Sequence, residues 1–202
     1  MDLQGYRRTP VASAAMRIYT RKGDDGTTGL LFGGRVTKNS SRIETNGAVD
    51  EAQAALGVAR AEASPGSELD EILVGLERDL YALMAEVATA PKNRHRLTPG
   101  TSLVTAEMVA ALEARIDQLS ERTSMPTEFV IPGANRRSAA LDVARTAVRR
   151  AERMAVSEPI EGSLVTTYLN RLSDLVWTMA RWQEGDEHLE ARSEGPKKKG
   201  HT

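Results

Sequence analysis

Apolar residues recur at three- and four-residue spacing along most of the chain, in five separate stretches. The clearest stretch begins at Ser67, a suitable helix N-cap, and continues through Leu69, Ile72, Leu73, Leu76, Leu80, Leu83, Met84 and Val87. Because an α-helix completes a turn every 3.6 residues, this spacing places the apolar side chains on one face. Helices are predicted at about 40–62, 67–87, 105–120, 138–156 and 162–183.

Proline and glycine separate these stretches. Pro65-Gly66 divides the first two predicted helices, and Pro159 divides the last two. Residues 91–100 are expected to form a polar loop, and residues 129–133 a short extended stretch before the fourth helix. No repeat and no alternation of strands with helices is present, so the expected fold class is all-α, a five-helix bundle.

One helical domain is expected to span residues 16–183, with residues 16–39 as its N-terminal loop region. Residues 1–15 lack an apolar stretch and are expected to form a flexible leader. Residues 184–202 contain almost no apolar side chain and are expected to form a disordered, solvated tail.

Composition excludes several classes of protein. Aromatic residues make up 4% of the 202 residues, so aliphatic side chains and alanine must fill the core, which suits closely packed helices. The net charge of −1 argues against nucleic acid as the main partner. The absence of cysteine excludes disulfides and thiolate sites and is compatible with the cytoplasm, where we expect the protein. No apolar run approaches the ~20 residues of a membrane span.

The most unusual segment is 20–29, which contains three glycines, three threonines and two cations. Glycines let backbone N–H groups turn towards an anion, so the segment suits a polyphosphate cradle. It lacks the spacing of a Walker A loop or an EF-hand. The alternative is a flexible entry loop whose glycines serve turns only. Lys38 lies close enough in sequence to add an ammonium group, or is plain surface charge.

The fourth predicted helix carries a charged stripe. Asp142, Arg145, Arg149 and Glu152 follow one another at helical spacing, on a different face from its apolar residues. Guanidinium groups suit phosphate oxygens, and the Glu152 carboxylate suits Mg²⁺ or a ribose. The alternative is a solvated face with internal ion pairs. Four arginines within nine residues repel one another without an anion, which favours a bound phosphate: Arg145, Arg149, Arg150 and Arg153.

Three further residues are candidates for ligand contacts. Phe129 is either a core anchor or an aromatic wall against a flat ligand. Asn170, on the fifth helix, either lies on the surface or contacts a nucleotide or a neighbouring subunit. Asp50 shares a polar stripe on the first helix and is expected to be exposed. The histidines lack the spacing of a metal site or of a catalytic triad.

Together these segments resemble the PduO-type ATP:cob(I)alamin adenosyltransferases, from about Ile18 to Arg181. The motifs are YTRKGDDG at 19–26, VDE at 49–51, FVIPG at 129–133, AR and RRAER within 144–153, and YLNRLSD at 168–174. Each motif is weak alone, but the five in this order are a specific match. The chain departs from the family's common residues at Ala52-Gln53 and Ala134.

The resemblance implies a homotrimer of five-helix bundles with ATP at each subunit interface. It implies catalytic roles for Arg149, Glu152 and Phe129, with Phe129 packed beside the corrin ring. It implies an intersubunit salt bridge between Asp50 and Arg145. It implies ATP-binding roles for Thr20, Arg21, Lys22, Gly23, Asp24, Thr28, Gly29, Lys38, Arg149, Arg150, Ala151, Glu152, Arg153 and Asn170.

The activity that the resemblance implies is transfer of the 5′-deoxyadenosyl group of ATP to cob(I)alamin, with release of triphosphate and with Mg²⁺ accompanying ATP. Cob(I)alamin is itself a strong nucleophile, so no catalytic serine or cysteine is required. A cobalt reductant protein and an adenosylcobalamin-dependent mutase are further expected partners. Two other classes stay open: a non-catalytic carrier or sensor of ATP or adenosylcobalamin, and a helical interaction protein without catalytic activity.

Overall fold

The computed structural model describes residues 18–191, so the expected leader at 1–15 lies outside the described residues. Within that range the five predicted α-helices are confirmed: α1 Ser41–Ala61, α2 Glu68–Val87, α3 Ala106–Ser120, α4 Arg136–Ser157 and α5 Val165–Glu184. A 3₁₀-helix at Pro91–Arg96 follows α2. Two short antiparallel pairs join β1 (Thr27–Gly29) to β2 (Arg35–Thr37), and β3 (Val130–Ile131) to β4 (Leu189–Glu190).

Side-chain caps explain where three of the helices begin. The Ser67 hydroxyl accepts a hydrogen bond from the Asp70 N–H, and the Thr105 hydroxyl serves α3 in the same way. Asn135 and Ser138 form a reciprocal capping box at the start of α4. The Asn135 side chain also donates to the Gln183 carbonyl at 2.9 Å, which holds the start of α4 beside the end of α5.

Polar contacts at the two ends of the bundle establish how the helices run. Arg42, at the start of α1, donates to the Val87 carbonyl at the end of α2 and pairs with Glu158 just after α4. We call this the hairpin end, because β1 and β2 attach there. At the far end, Arg60 of α1 pairs with Asp70 of α2 at 2.8 Å. Helix α1 therefore runs antiparallel to α2 and α4.

Small side chains allow α1 and α4 to approach closely. The buried alanines Ala48, Ala52 and Ala59 of α1 belong to the same core as Ala144, Ala151 and Ala155 of α4. Leucines of α2 and α5 fill the remaining volume. None of the helices within residues 18–191 combines the length and the apolar character needed to cross a membrane.

The structure differs from the sequence-based expectations in three places. The N-terminal segment, expected to be a loop, contains the β1–β2 pair. The expected polar loop 91–100 contains the 3₁₀-helix, which begins with Pro91 in its first turn. Ordered structure also continues into the expected tail. Glu184 is buried and pairs with Arg181 at 3.0 Å, and β4 bonds to β3 through backbone groups, which need no apolar side chains. Residues 192–202 lie outside the described part of the chain.

We expect Leu169→Ala to lower the free energy of unfolding by about 2–5 kcal/mol, because Leu169 is fully buried and its truncation leaves a cavity. The measurement is urea denaturation at a fixed protein concentration, since self-association changes apparent stability. Leu189→Ala is the matched control, because Leu189 is 60% exposed. Equal losses in the two variants would contradict this description of the core.

Candidate active site

The N-terminal segment forms a β-hairpin whose base carries the predicted phosphate cradle. Thr27 pairs with Thr37 and Gly29 with Arg35, which brings the two ends of the segment together. At the base, the Lys38 N–H donates to the Gly26 carbonyl at 2.9 Å. The glycine-rich stretch therefore folds back on β2.

Lys38 lies directly beside Gly23. A Cβ atom added to Gly23 would stand 3.1 Å from the Lys38 Nζ, tighter than ordinary van der Waals contact. Glycine therefore leaves room for the lysine side chain. The two residues are 15 positions apart in sequence, and the antiparallel hairpin is what places this ammonium group at the cradle.

Arg35 organises the cradle, although the sequence pattern did not mark it as a candidate. Its Nε donates to the Thr27 hydroxyl at 2.9 Å, and its guanidinium also bonds to the Lys22 carbonyl. The Asp25 carboxylate accepts from the Thr27 hydroxyl and N–H, and the hydroxyl bond is the main cause that lowers the pKa of Asp25. The Asp-Gly-Thr sequence is typical of such a turn and was the available signal.

The other predicted cradle residues are mostly on the surface. Thr28 is half-buried within β1, and Arg21 has a φ of 60°, a left-handed conformation that is uncommon outside glycine. The exposed members are Thr20, Arg21, Lys22, Asp24 and Gly29. These groups are accessible to a ligand approaching from outside the chain.

A second set of predicted residues lines an open groove of about 330 Å³ between α4 and α5, made by Arg149, Glu152, Arg153, Val156 and Asn170. The Asn170 amide donates to the Glu152 carboxylate at 3.0 Å and accepts from Arg171 at 2.8 Å. These bonds fix the orientation of the amide and of one carboxylate oxygen. The groove thus presents two arginines beside an oriented carboxylate and amide.

Arg149 differs from its neighbours in its contacts. Arg150 pairs with Glu51 of α1, and the Arg153 guanidinium donates to the Arg149 carbonyl at 3.1 Å. Among residues 18–191 the Arg149 guanidinium has no hydrogen bond or ion pair, and the residue is exposed. It is therefore available to an anionic ligand without breaking an existing contact.

Two residues predicted on the charged helix are buried. Ala151 has no exposed surface and packs in the core with Val148 and Ala155, so its side chain does not face the groove. Asp142 is 5% exposed and accepts from Arg181 of α5 at 2.6 Å. The stripe inferred from spacing therefore does not lie wholly on the surface, because α5 supplies a buried cation to Asp142.

Arg145, Asp50 and Phe129 lie outside the groove lining. Arg145 donates to the Asp142 carboxylate at 3.2 Å, and Asp50 is exposed on α1. Phe129 is 83% exposed, which excludes the core-anchor alternative within this chain. Its carbonyl accepts from the Ala191 N–H at 2.7 Å, next to the β3–β4 pair.

One chain does not assemble all these groups. In the part of the molecule that the structure describes, no hydrogen bond or ion pair joins the hairpin to the α4–α5 groove. Phe129 lies at the end of the bundle opposite the hairpin end, next to the β3–β4 pair. These ends are about 30 Å apart, the length of the 20-residue α5.

Comparison with known proteins identifies the family. A family model described as cobalamin adenosyltransferase matches residues 18–183. The chain belongs to the cobalamin adenosyltransferase family. This confirms the resemblance of the sequence motifs.

Individual members of the family are similar over most of this chain. This chain is 41% identical over 171 residues to a corrinoid adenosyltransferase of Citrobacter freundii. The aligned region covers 83% of this chain and 95% of that relative. This chain is 36% identical over 176 residues to the corrinoid adenosyltransferase PduO of the same organism, covering 86% of this chain. The chain spans only 51% of that second relative's length.

Solved structures in the family include ligand complexes. A variant PduO-type ATP:corrinoid adenosyltransferase from Lactobacillus reuteri, complexed with cobalamin and ATP, superimposes with a TM-score of 0.77 at 26% identity. The match covers 88% of this chain and 100% of that chain. A second variant of that enzyme, complexed with ATP, gives a TM-score of 0.75 at 27% identity and covers 87% and 100% of the two chains.

Proposed function

We propose that this enzyme transfers the 5′-deoxyadenosyl group of ATP to cob(I)alamin, giving adenosylcobalamin and inorganic triphosphate. The observation that carries the proposal is the α4–α5 groove, where Arg149, which has no partner among residues 18–191, lies beside the Glu152–Asn170 pair. Membership of the cobalamin adenosyltransferase family supports the same reaction. So do the cobalamin and ATP present in the related Lactobacillus reuteri complex.

The triphosphate of ATP is the ligand that the cradle and groove suit. Loop amides and Lys38 would hold phosphate oxygens from one side, and Arg149 from the other, with Arg150 and Arg153 adding positive charge. The Asn170 amide suits the ribose or adenine. To bind phosphate, the Arg150 guanidinium would have to contact both Glu51 and the phosphate, or lose its ion pair with Glu51.

The reaction requires positioning and charge stabilisation more than acid–base groups. The electron pair of cobalt(I) forms a bond to the ribose 5′ carbon, the bond from that carbon to oxygen breaks, and the electrons leave with triphosphate. The cationic groups stabilise the charge that develops on this leaving group. Holding ATP so that the 5′ carbon faces cobalt in line lowers the entropic part of the barrier.

Phe129 is proposed as the aromatic wall beside the corrin ring. An aromatic side chain that is 83% exposed offers a flat apolar surface to a flat ligand. Such a surface excludes water or an axial base from one face of the ring. Cobalt(II) without that axial ligand is easier to reduce to cobalt(I).

We propose that the complete site forms between subunits of a homotrimer. Within residues 18–191 no hydrogen bond or ion pair joins the hairpin to the groove, and Phe129 lies at the opposite end of the bundle. Both observations support an assembly in which different copies contribute different parts. Val143 of α4 is an exposed apolar side chain that a neighbouring copy would cover at such a contact. Asp50 would pair across this contact with Arg145, whose Nε already bonds to Asp142. Light scattering that gives the mass of three chains is the expected result.

The residues present fit Mg²⁺ as an ion that accompanies ATP. Among residues 18–191 no group of three His, Cys, Asp or Glu side chains could hold a metal. Mg²⁺ is commonly bound through substrate phosphates with one or two carboxylates. Glu152 is the candidate protein ligand, and the ion would neutralise charge on the triphosphate.

The reaction is tested by incubating the protein with ATP, Mg²⁺ and chemically reduced cobalamin. We expect the adenosylcobalamin spectrum, with triphosphate released in equal amount. Ligand binding without a spectral change would favour a carrier or sensor, and failure to bind ATP would favour an interaction protein. Delivery of the product to a mutase, and reduction of cobalt by a partner protein, are further proposals to be tested by adding those proteins.

A further inference from the structure

The tip of the hairpin is held in a conformation that a bulky residue rarely adopts. Phe32 has a φ of 63°, and Gly33 and Gly34 that follow it also have positive φ. For glycine such angles cause no strain, but for phenylalanine they cost energy unless neighbouring groups stabilise them. Contacts that fix Phe32 therefore also determine where the tip lies.

The 3₁₀-helix supplies those contacts. The Asn93 amide donates to the Phe32 carbonyl at 3.3 Å and is 3.4 Å from the Gly33 carbonyl. Arg96 donates to the Phe32 carbonyl at 3.4 Å, and its guanidinium lies 4.3 Å from the centre of the Phe32 ring. The adjacent Leu31 N–H bonds to the Ala88 carbonyl at 2.9 Å. The tip is thus attached to the bundle by both backbone and side-chain bonds.

A buried carboxylate fixes the 3₁₀-helix in turn. Glu86 has no exposed surface and accepts from the Arg94 guanidinium at 2.9 Å. It also accepts from the Ser163 hydroxyl at 2.6 Å and from the Val104 N–H at 2.8 Å. A buried charged group is stable only when hydrogen-bond donors surround it. Glu86 therefore holds together α2, the 3₁₀-helix and the segments just before α3 and α5.

We propose that the 3₁₀-helix is a socket for Phe32 that positions the ATP-binding hairpin. Asn93 and Arg96 are its positioning residues, and Glu86 is its buried anchor. The inference rests on the proposed function, because it assumes that Gly23 and Lys38 at the base of the hairpin contact ATP. The paired strands connect tip to base, so a fixed tip reduces the conformational freedom lost when ATP binds.

The socket makes a specific kinetic prediction for Arg96→Ala. Arg96 is proposed to affect the binding of ATP and not the chemical step. The KM for ATP should therefore rise roughly fivefold, the size expected for one exposed cation–π contact with a hydrogen bond. The kcat at saturating ATP and the KM for cob(I)alamin should stay within about twofold of wild type. Lys92→Ala is the charge-matched control in the same 3₁₀-helix, and it should leave the KM for ATP unchanged.

A double-variant cycle separates positioning from direct contact with ATP. If Arg96 acts through Phe32, adding Arg96→Ala to Phe32→Leu should raise the KM for ATP by less than Arg96→Ala does in wild type, because the cation–π contact is already absent and only the bond to the residue 32 carbonyl is lost. Fully additive effects, or an unchanged KM in Arg96→Ala, would overturn the proposal. So would an equal fall in kcat, which indicates a contact made in the transition state.

Limited trypsin digestion without ATP gives a readout independent of turnover. The hairpin contains Lys22, Arg35 and Lys38 as cleavage sites, and Arg96→Ala should speed their cleavage relative to Lys92→Ala. Faster cleavage in a protein that fails to adenosylate cobalamin would keep the socket and reject the proposed function. Equal cleavage rates in an active enzyme would reject the socket alone.

Discussion

Arg149→Ala is expected to lower the rate of adenosylation by roughly a hundredfold or more, the loss typical of removing one preorganised charge-stabilising group. The Arg149 guanidinium has no partner within the described residues, so its removal breaks no ion pair. Its proposed partner is the triphosphate, whose negative charge grows as the bond to the 5′ carbon breaks. The measurement is the initial rate of adenosylcobalamin formation at saturating ATP and cob(I)alamin.

Two variants make the Arg149 result specific. Arg149→Lys keeps the charge but loses the planar, bidentate geometry, so we expect partial activity between that of wild type and Arg149→Ala. Arg136→Ala is the matched control, because this arginine lies on the same helix with an 88% exposed side chain. Unfolding curves should match wild type for all three. Wild-type turnover in Arg149→Ala would remove the α4–α5 groove from the mechanism.

Phe129→Ala is expected to remove most of the four-coordinate cobalt(II) signal in electron paramagnetic resonance of the enzyme with ATP and cob(II)alamin. Without the aromatic wall, water or an axial base can reach cobalt. Because reduction then becomes harder, turnover with a mild reductant should fall by about tenfold or more, a barrier increase of at least ~1.4 kcal/mol. Corrinoid binding should survive, since the rest of the site is unchanged.

The comparison for Phe129→Ala is Tyr81→Ala, which removes another exposed aromatic side chain, on α2. We expect this control to keep both the cobalt(II) signal and the turnover of wild type. Supplying chemically prepared cob(I)alamin should restore much of the activity of Phe129→Ala, because the reduction step is then bypassed. A four-coordinate signal of wild-type size in Phe129→Ala would show that another group excludes the axial ligand.

The helices could be predicted because their signals are local. Ser67 was recognisable as a cap before a run of apolar residues, and the structure uses its hydroxyl in this way. Thr105, predicted only as the start of the third helix, also caps its helix. The 3₁₀-helix Pro91–Arg96 could not be foreseen. It has no buried residue of its own and therefore no apolar periodicity, and its position depends on Glu86.

The candidate site could be predicted only where its residues share a motif. Segment 20–29 and the arginines of α4 each lie within a short stretch of sequence, so both could be proposed as candidates from the sequence. Arg35 was missed because its importance comes from Thr27 and Lys22, which only the folded hairpin brings to it. Asp142 was placed on one charged stripe with Arg149 and Glu152, but it is buried, because Arg181, 39 residues away in sequence, pairs with it.

The lack of any hydrogen bond or ion pair between the hairpin and the α4–α5 groove, within residues 18–191, has a genetic consequence. If each site takes its hairpin from one subunit and its groove from the next, two inactive alleles should complement each other. In any ring of three that mixes a Lys38→Ala chain with an Arg149→Ala chain, one junction joins an intact hairpin to an intact groove. Co-expression should therefore restore up to about a third of full activity in mixed trimers, whereas blending the purified variants without subunit exchange should restore none.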